Sequence, residues 1–97
     1  MVFEIDFDPA ARADLRDMRG FERAATLEMI ERLLTQSPMA TSRTRIKRLR
    51  GIDSPEYRLR VGEVRVFYDV EGETVYVLRV LPKAEADQYL KEMGYEA

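Results

Sequence analysis

The stretch YRLRVGEVRVFYDVEGETVYVLRVL, residues 57–81, decides the fold of this 97-residue chain. Apolar and polar residues alternate along it, and this period of two is typical of strands with one buried face. Gly62-Glu63 and Glu71-Gly72 interrupt the alternation and predict two tight turns. The stretch therefore predicts an antiparallel meander of three strands, at residues 57–61, 64–70 and 73–81.

The first two of these strands direct apolar side chains to one face and arginines to the other. Arg58, Arg60 and Arg65 share the second face with Phe67. Arginine is permanently charged and its planar fork matches phosphate oxygens. Like charges at neighbouring positions repel each other, so this arrangement costs stability unless an anion binds. We interpret the face as phosphate-binding. The alternative is that carboxylates of the protein pair with these arginines. Phe67 lies where it could stack a base, but we expect it to pack against arginine stems or in a small second core.

The remaining elements are predicted from shorter patterns. Residues 2–7 alternate and predict a first strand, and Asp8-Pro9 is typical of a helix start. This helix should extend to Gly20, and a second helix should cover residues 21–36. Its predicted inward-facing residues are Phe21, Ala24, Ala25, Met29, Ile30, Leu33 and Leu34.

Residues 39–56 read as a basic loop with a short extended piece around Arg45 to Leu49, and a last helix should cover residues 82–93. The predicted order is β-α-α-β-β-β-α. We therefore expect one α+β domain over residues 1–97, with the first strand joining the edge of the meander. The expected architecture is an antiparallel four-stranded sheet with a helix hairpin on one face and an open basic cleft on the other.

Composition excludes several classes of chemistry. The chain has no cysteine and no histidine, which removes disulfides, thiolate catalysis, the usual general base and the commonest metal ligand. We expect neither a metal nor another cofactor. No apolar run approaches the ~20 residues that cross a bilayer, and the acidic N-terminus is unlike a signal peptide. These features predict a cytoplasmic protein without a membrane partner.

The charge is distributed unevenly although its sum is only −2. Residues 43–65 carry eight basic and three acidic side chains, a net charge of +5, whereas residues 1–42 carry −3 and residues 66–97 carry −4. A local patch of one sign attracts anions whatever the total charge is. The alternative is a solvated basic face without a ligand.

Residues 47–90, KRLRGIDSPEYRLRVGEVRVFYDVEGETVYVLRVLPKAEADQYL, resemble the RelE/ParE superfamily of bacterial toxins from type II toxin–antitoxin pairs. The family pattern is K-x-L-x-G, then Y/W-R-[IL]-R-x-G-x-[YV]-R-[VI]-x-Y, then a V-x-V-L-x-V strand, a basic residue and a tyrosine. The N-terminal strand with F-D-P and the helix hairpin also match. The resemblance is closer to RelE than to ParE. RelE-like members are metal-independent endoribonucleases that cut mRNA in the ribosomal A site, and ParE-like members inhibit DNA gyrase.

The resemblance also implies site residues. Arg58, Arg60 and Arg65 fall on the basic residues of the two strands, Lys83 on the basic residue that follows the last strand, and Tyr89 on the C-terminal tyrosine. Arg60 stands where well-studied members carry a lysine that acts as base, and arginine is a poor base. Positive neighbours favour the neutral form of an amine. We therefore hypothesise that Lys83 transfers the proton, that the arginines hold the phosphate, and that Tyr89 orients the 2′-oxygen or stacks a base.

Three functions follow from this resemblance. The leading one is a toxin that cleaves mRNA on the ribosome through a 2′,3′-cyclic phosphate and thereby inhibits translation. The second is ParE-like gyrase inhibition, which the acidic composition and the missing lysine favour. The third is a catalytically degenerate module that only binds RNA or a partner helix. All three imply a cognate antitoxin, which we expect to cover the cleft with an acidic or amphipathic segment.

Overall fold

A computed structural model describes residues 2–96. Within this range the chain forms five strands and three α-helices. The strands are β1 (Glu4–Phe7), β2 (Ile46–Arg48), β3 (Tyr57–Val61), β4 (Val64–Glu71) and β5 (Thr74–Pro82). The helices are α1 (Pro9–Arg16), α2 (Gly20–Met29), which continues as a π-helical turn (Ile30–Leu34), and α3 (Lys83–Glu92).

The strands form one sheet in the order β1-β5-β4-β3-β2. The predicted α+β class, the meander and the edge position of the first strand are confirmed. The sheet is nevertheless five-stranded and mixed, not four-stranded and antiparallel. The short extended piece pairs with β3 as a fifth strand, and β1 runs parallel to β5. The direction of β1 is set by the long connection through the helix hairpin, about which strand periodicity carries no information.

The helix hairpin packs on one face of the sheet as predicted. The Asp8 side chain caps α1 by accepting a hydrogen bond from Ala10 N (3.1 Å), and Pro9 occupies the first turn. The main core lies between this hairpin and the sheet. It is formed by buried side chains of α1, of the π-helical turn and of β2 to β5, among them Leu15, Ile30, Leu34, Ile46, Leu59, Val66, Tyr68 and Val77, and Ile5 and Phe7 of β1 pack against it partly buried.

The inward face of α2 differs from the predicted one. Phe21 is 76% exposed, and Ala24 and Ala25 are also exposed, whereas Thr26 is buried. Arg23 accounts for this orientation of α2 about its axis. Its Nε donates to Leu15 O (2.7 Å) and thereby caps the end of α1. The early part of α2 thus satisfies backbone carbonyls with a polar side chain, and apolar packing of this segment on the core begins at Ile30.

Helix α3 packs across the second face of the sheet, which is therefore only partly open. Leu90 and Ala86 of α3 bury Phe67 and Leu81 in a second core that also contains Leu49. Phe67 is fully buried, as expected for a residue of a small second core. At the C-terminal end of α3, Gly94 adopts φ +89° and Tyr95 N donates to Leu90 O (2.9 Å). This left-handed cap turns the chain back toward the sheet.

Candidate anion-binding site

Four basic side chains lie together on the second face, beside α3. Lys47 of β2 stands directly opposite Arg58 of β3, and Arg60 of β3 stands directly opposite Arg65 of β4. Adjacent strands are about 4.8 Å apart, so each pair places two positive charges at neighbouring positions. We call these four residues the cationic group.

Among residues 2–96, ion pairs within 4.0 Å join Arg48 to Glu56 (3.5 Å) and Arg79 to Asp14 (2.8 Å). Neither pair includes a member of the cationic group. The carboxylate of Asp69, on neighbouring β4, is engaged elsewhere. It accepts hydrogen bonds from Ser54 Oγ (2.6 Å) and from Glu56 N (2.7 Å). The cationic group therefore lacks carboxylate contacts within the described part of the chain.

Arg65 is the buried member of the group, with 7% of its surface exposed. Its Nη1 donates to Gly62 O (2.8 Å) and Val64 O (3.1 Å), and these bonds fix the guanidinium behind the β3–β4 turn. Burial and the charge of Arg60 lower the pKa of Arg65, whereas Glu63 and Asp87 oppose this effect. Arg65 thus acts as a fixed positive charge at the base of the site.

Arg58 is half-buried, and its Nε is enclosed without a hydrogen-bond partner. Burial, followed by the charges of Arg65 and Arg60, lowers the pKa of Arg58, and Tyr95 acts in the opposite direction. Arg60 is exposed on the same strand. An enclosed donor without a partner is costly, so among the described residues Arg58 carries an existing penalty in the free protein.

Lys83 lies at the first position of α3 and is exposed. Its backbone N donates to Glu63 O (2.7 Å), which joins the start of α3 to the β3–β4 turn. Arg60 and Arg65 flank this turn, so the backbone of Lys83 lies at the same end of the sheet as these two arginines. The structure thus places it at one end of the cationic group.

Tyr89 lies on the far side of Phe67 from the cationic group. Its ring is 5.0 Å from that of Phe67, and Arg79 Cζ lies 5.5 Å from its centroid. Phe67 stands between Arg58 and Arg79 in the strand register. Burial raises the pKa of Tyr89, and the charge of Arg79 partly opposes this. The structure thus brings Arg58, Arg60 and Arg65 together but does not bring Tyr89 to them.

Two residues near the arginines are absent from the set named from sequence. Lys47 opposes Arg58, and its Nζ lies 5.9 Å from the centroid of the Tyr95 ring. Lys47 belongs to the basic segment 43–65, so its charge could be noted from the sequence. Its pairing with Arg58 across two strands could not be predicted from the sequence. Tyr95 follows the helix stop at Gly94, and no pattern in the sequence connects it to β2.

Other kinds of site have little support in the described residues. Within residues 2–96 there is no group of three or more carboxylates that could hold a metal ion. In the same range no helix has the length and apolar character needed to cross a membrane.

The fold and the site define a small α+β protein with an anion-attracting sheet face that its last helix partly covers. A family model described as the ParE toxin of type II toxin–antitoxin systems matches residues 5–87. The chain belongs to this family, within the RelE/ParE superfamily, and the resemblance stated from the sequence is confirmed. It is a toxin of a toxin–antitoxin system.

Solved structures extend the likeness. The chain is similar to a chain of the RelBE2 toxin–antitoxin complex from Mycobacterium tuberculosis, with 28% identity and a TM-score of 0.74 over 87% of this chain and 94% of that one. It is similar to a chain of the RelB–RelE complex from Methanococcus jannaschii (27% identity, TM-score 0.68, 87% and 96% covered). It is also similar to a double Arg-to-Ala mutant of Escherichia coli RelE in the free state (27%, 0.69, 97% and 96%). No curated protein sequence matches it significantly.

Proposed function

We propose that this toxin is a metal-independent endoribonuclease that cleaves mRNA on the ribosome and thereby inhibits translation. The observation that carries the proposal is the cationic group, four adjacent positive side chains of which none forms an ion pair within 4.0 Å among residues 2–96. Such a group is costly in the free protein and becomes favourable when a phosphate binds. The similarity to RelE chains at 27–28% identity supports RNA as the source of that phosphate.

The proposed reaction is an internal transfer at phosphorus. The 2′-oxygen of the nucleotide attacks the adjacent phosphorus while the bond from phosphorus to the 5′-oxygen breaks. The proton of the 2′-hydroxyl passes to a base, and the leaving 5′-oxygen receives a proton from an acid. The products are a 2′,3′-cyclic phosphate and a 5′-hydroxyl end. Negative charge accumulates on the phosphoryl oxygens in the transition state, so fixed positive charge accelerates the reaction.

The cationic group is suited to that stabilisation. Arg60 is exposed and Arg58 is half-buried, so both are assigned to contact the phosphoryl oxygens through the accessible ends of their guanidinium groups. Arg65 is held by backbone carbonyl groups behind Arg58 and Arg60. It is assigned to stabilise the charge on the phosphoryl oxygens electrostatically, without direct contact. Arginine does not readily give up its proton, so it is not assigned proton transfer.

Proton transfer is assigned to Lys83, and a supporting role to Tyr89. Lys83 is exposed at the β3–β4 end of the group, where solvent reaches its amine. Tyr89 now packs on Phe67 beside Arg79, so its assigned role in orienting the 2′-oxygen or stacking a base requires movement of α3 toward the arginines. The present geometry therefore supports the assignment of Lys83 more directly than the assignment of Tyr89.

A cognate antitoxin is the proposed protein partner. Two of the similar solved structures are RelB–RelE antitoxin–toxin complexes. The cationic group favours an acidic antitoxin segment, which would neutralise the charge, and an amphipathic segment that displaced α3 would cover the second core in its place.

The test is primer extension on mRNA in a purified translation system. We expect cuts at codon positions that leave cyclic phosphate ends, and a loss of at least tenfold in cleavage for Arg60→Ala and for Lys83→Ala. Arg12→Ala, on the exposed side of α1, is the matched control and should cleave normally. Undiminished cleavage by Lys83→Ala would remove its assignment, and an absence of cuts with the wild-type toxin would remove the nuclease proposal.

A second candidate is ParE-like inhibition of DNA gyrase. The matched family model, which describes ParE toxins, favours it, as does Arg60 at the position of the family's lysine base. A supercoiling assay with purified gyrase separates the two candidates, because only the ParE-like function predicts inhibition of gyrase without RNA cleavage. A catalytically degenerate binding module would be inactive in both assays.

A further inference from the structure

We infer that Lys47, Arg58 and Tyr95 form a second nucleotide subsite, which holds the phosphate and the base next to the nucleotide bound at Arg60. The inference rests on the proposed function, because it extends the same face toward β2. It assigns a role to the C-terminal residues after α3, and it makes a single-stranded RNA chain, not one isolated phosphate, the ligand of the face.

The charges extend in the direction of the proposed strand. Lys47 opposes Arg58 across β2 and β3, and Arg60 follows Arg58 on the same side of β3. Residues two apart on a strand are about 7 Å apart, and adjacent strands add about 4.8 Å. The cationic group therefore covers more than one phosphate can occupy. Lys47 is exposed and outside every ion pair within the described residues.

Tyr95 adds an aromatic surface at the Lys47 end. The centroid of its ring lies 5.9 Å from Lys47 Nζ. The ring is held in place by the left-handed turn at Gly94 and by the bond from Tyr95 N to Leu90 O. Rigid aromatic rings beside a positive groove are the common means of binding single strands, because every base has a face that can stack.

Arg58 links the two subsites. Its enclosed Nε has no partner, and its neighbours on one side are Arg60 and Arg65 and on the other Lys47 and Tyr95. A phosphate between the Lys47 ammonium and the guanidinium end of Arg58 would reduce the repulsion within the group. The structure thus provides two positive side chains and a stacking ring at one place.

The test is binding of a fluorescein-labelled, eight-nucleotide 2′-O-methyl RNA by anisotropy over a range of salt concentrations. The methyl groups prevent cleavage, so binding is measured alone. Lys47→Ala should weaken binding by threefold to tenfold and lower the slope of log K against log salt by about 0.7, the value for one phosphate contact on a single strand. Lys47→Arg should retain both the affinity and the salt slope of the wild type. Tyr95→Phe should bind normally, and Tyr95→Ala should bind about tenfold more weakly.

Arg12→Ala, on the exposed side of α1, is the control for loss of a positive charge away from this face. Thermal unfolding of each variant establishes that it is folded before binding is measured. If Arg60→Ala weakens binding while Lys47→Ala and Tyr95→Ala do not, the subsite is wrong and the proposed function survives. If Arg60→Ala also binds normally, the RNA-binding face itself is wrong. An unchanged salt slope in Lys47→Ala would likewise overturn the phosphate contact.

Discussion

The free toxin should become more stable when Arg58 is replaced by methionine. Methionine keeps the unbranched stem that packs on the sheet but removes the charge and the enclosed Nε, which has no partner. A buried unsatisfied donor costs about 1–3 kcal/mol, and each like-charged neighbour adds about 0.2–1 kcal/mol. The guanidinium of Arg58 is only half-buried, so solvent reduces both contributions. We expect a net gain of about 1 kcal/mol, which corresponds to about 4–8 °C in Tm for a domain of this size.

The assay is urea unfolding at low and high salt. Screening shortens the range of electrostatic repulsion from about 30 Å at 0.01 M to about 3 Å at 1 M salt. The advantage of Arg58→Met should therefore be largest at low salt and should shrink at 1 M, because the wild-type protein gains more from screening. RNA binding should weaken in the same variant, so stability and binding move in opposite directions.

Arg48→Met is the matched control. Arg48 is on neighbouring β2, but it pairs with Glu56 (3.5 Å) and its Cζ lies 5.1 Å from the Tyr57 ring centroid. Its replacement should be neutral or destabilising by up to about 1 kcal/mol. Two results would contradict this prediction: Arg58→Met is no more stable than Arg48→Met, or its gain in stability is independent of salt. Either result would mean that repulsion within the cationic group does not destabilise the free protein, and that this repulsion does not favour a bound anion.

Further predictions concern the supports of the site. Tyr68 is buried and donates to Pro38 O (2.6 Å), and burial raises the pKa of Tyr68. Its contribution to stability should be complete below about pH 10 and decline above it by up to about 1.4 kcal/mol per pH unit; equilibrium unfolding from pH 9 to 11 should show a steeper decline in the wild type than in Tyr68→Phe, which keeps only the smaller contribution of Tyr89. Asp14→Asn should cost about 2 kcal/mol in urea unfolding, because Asp14 accepts from Arg79 Nε (2.8 Å) and from Val80 N (2.9 Å); an unchanged midpoint would show that the contact contributes nothing. Leu90→Ala should cost about 2–4 kcal/mol if α3 remains docked in solution, and hydrogen exchange of the α3 amides should rise with it; a cost below about 1 kcal/mol would mean that α3 is already displaced.

The sequence alone predicted the elements whose signals are local. Alternation and the two glycine turns predicted β3 at its observed bounds, and β4 and β5 to within a residue. The Asp8-Pro9 pair predicted the start of α1. The grouping of Arg58, Arg60 and Arg65 on one face also followed from the sequence, because the period of two and the hairpin register depend only on neighbours along the chain.

Tertiary structure decided everything that depends on contacts between distant segments. The parallel direction of β1 follows from the path of the helix hairpin, and the exposure of Phe21 follows from the use of Arg23 to cap α1. The pairing of β2 with β3 adds Lys47 to the arginines, and the docking of α3 brings Tyr95 to that end and holds Tyr89 at the other. Charge and periodicity are properties of a segment, whereas the surroundings of a side chain depend on which segments meet. For this reason the sequence identified the arginines, and only the fold determined which residues surround them.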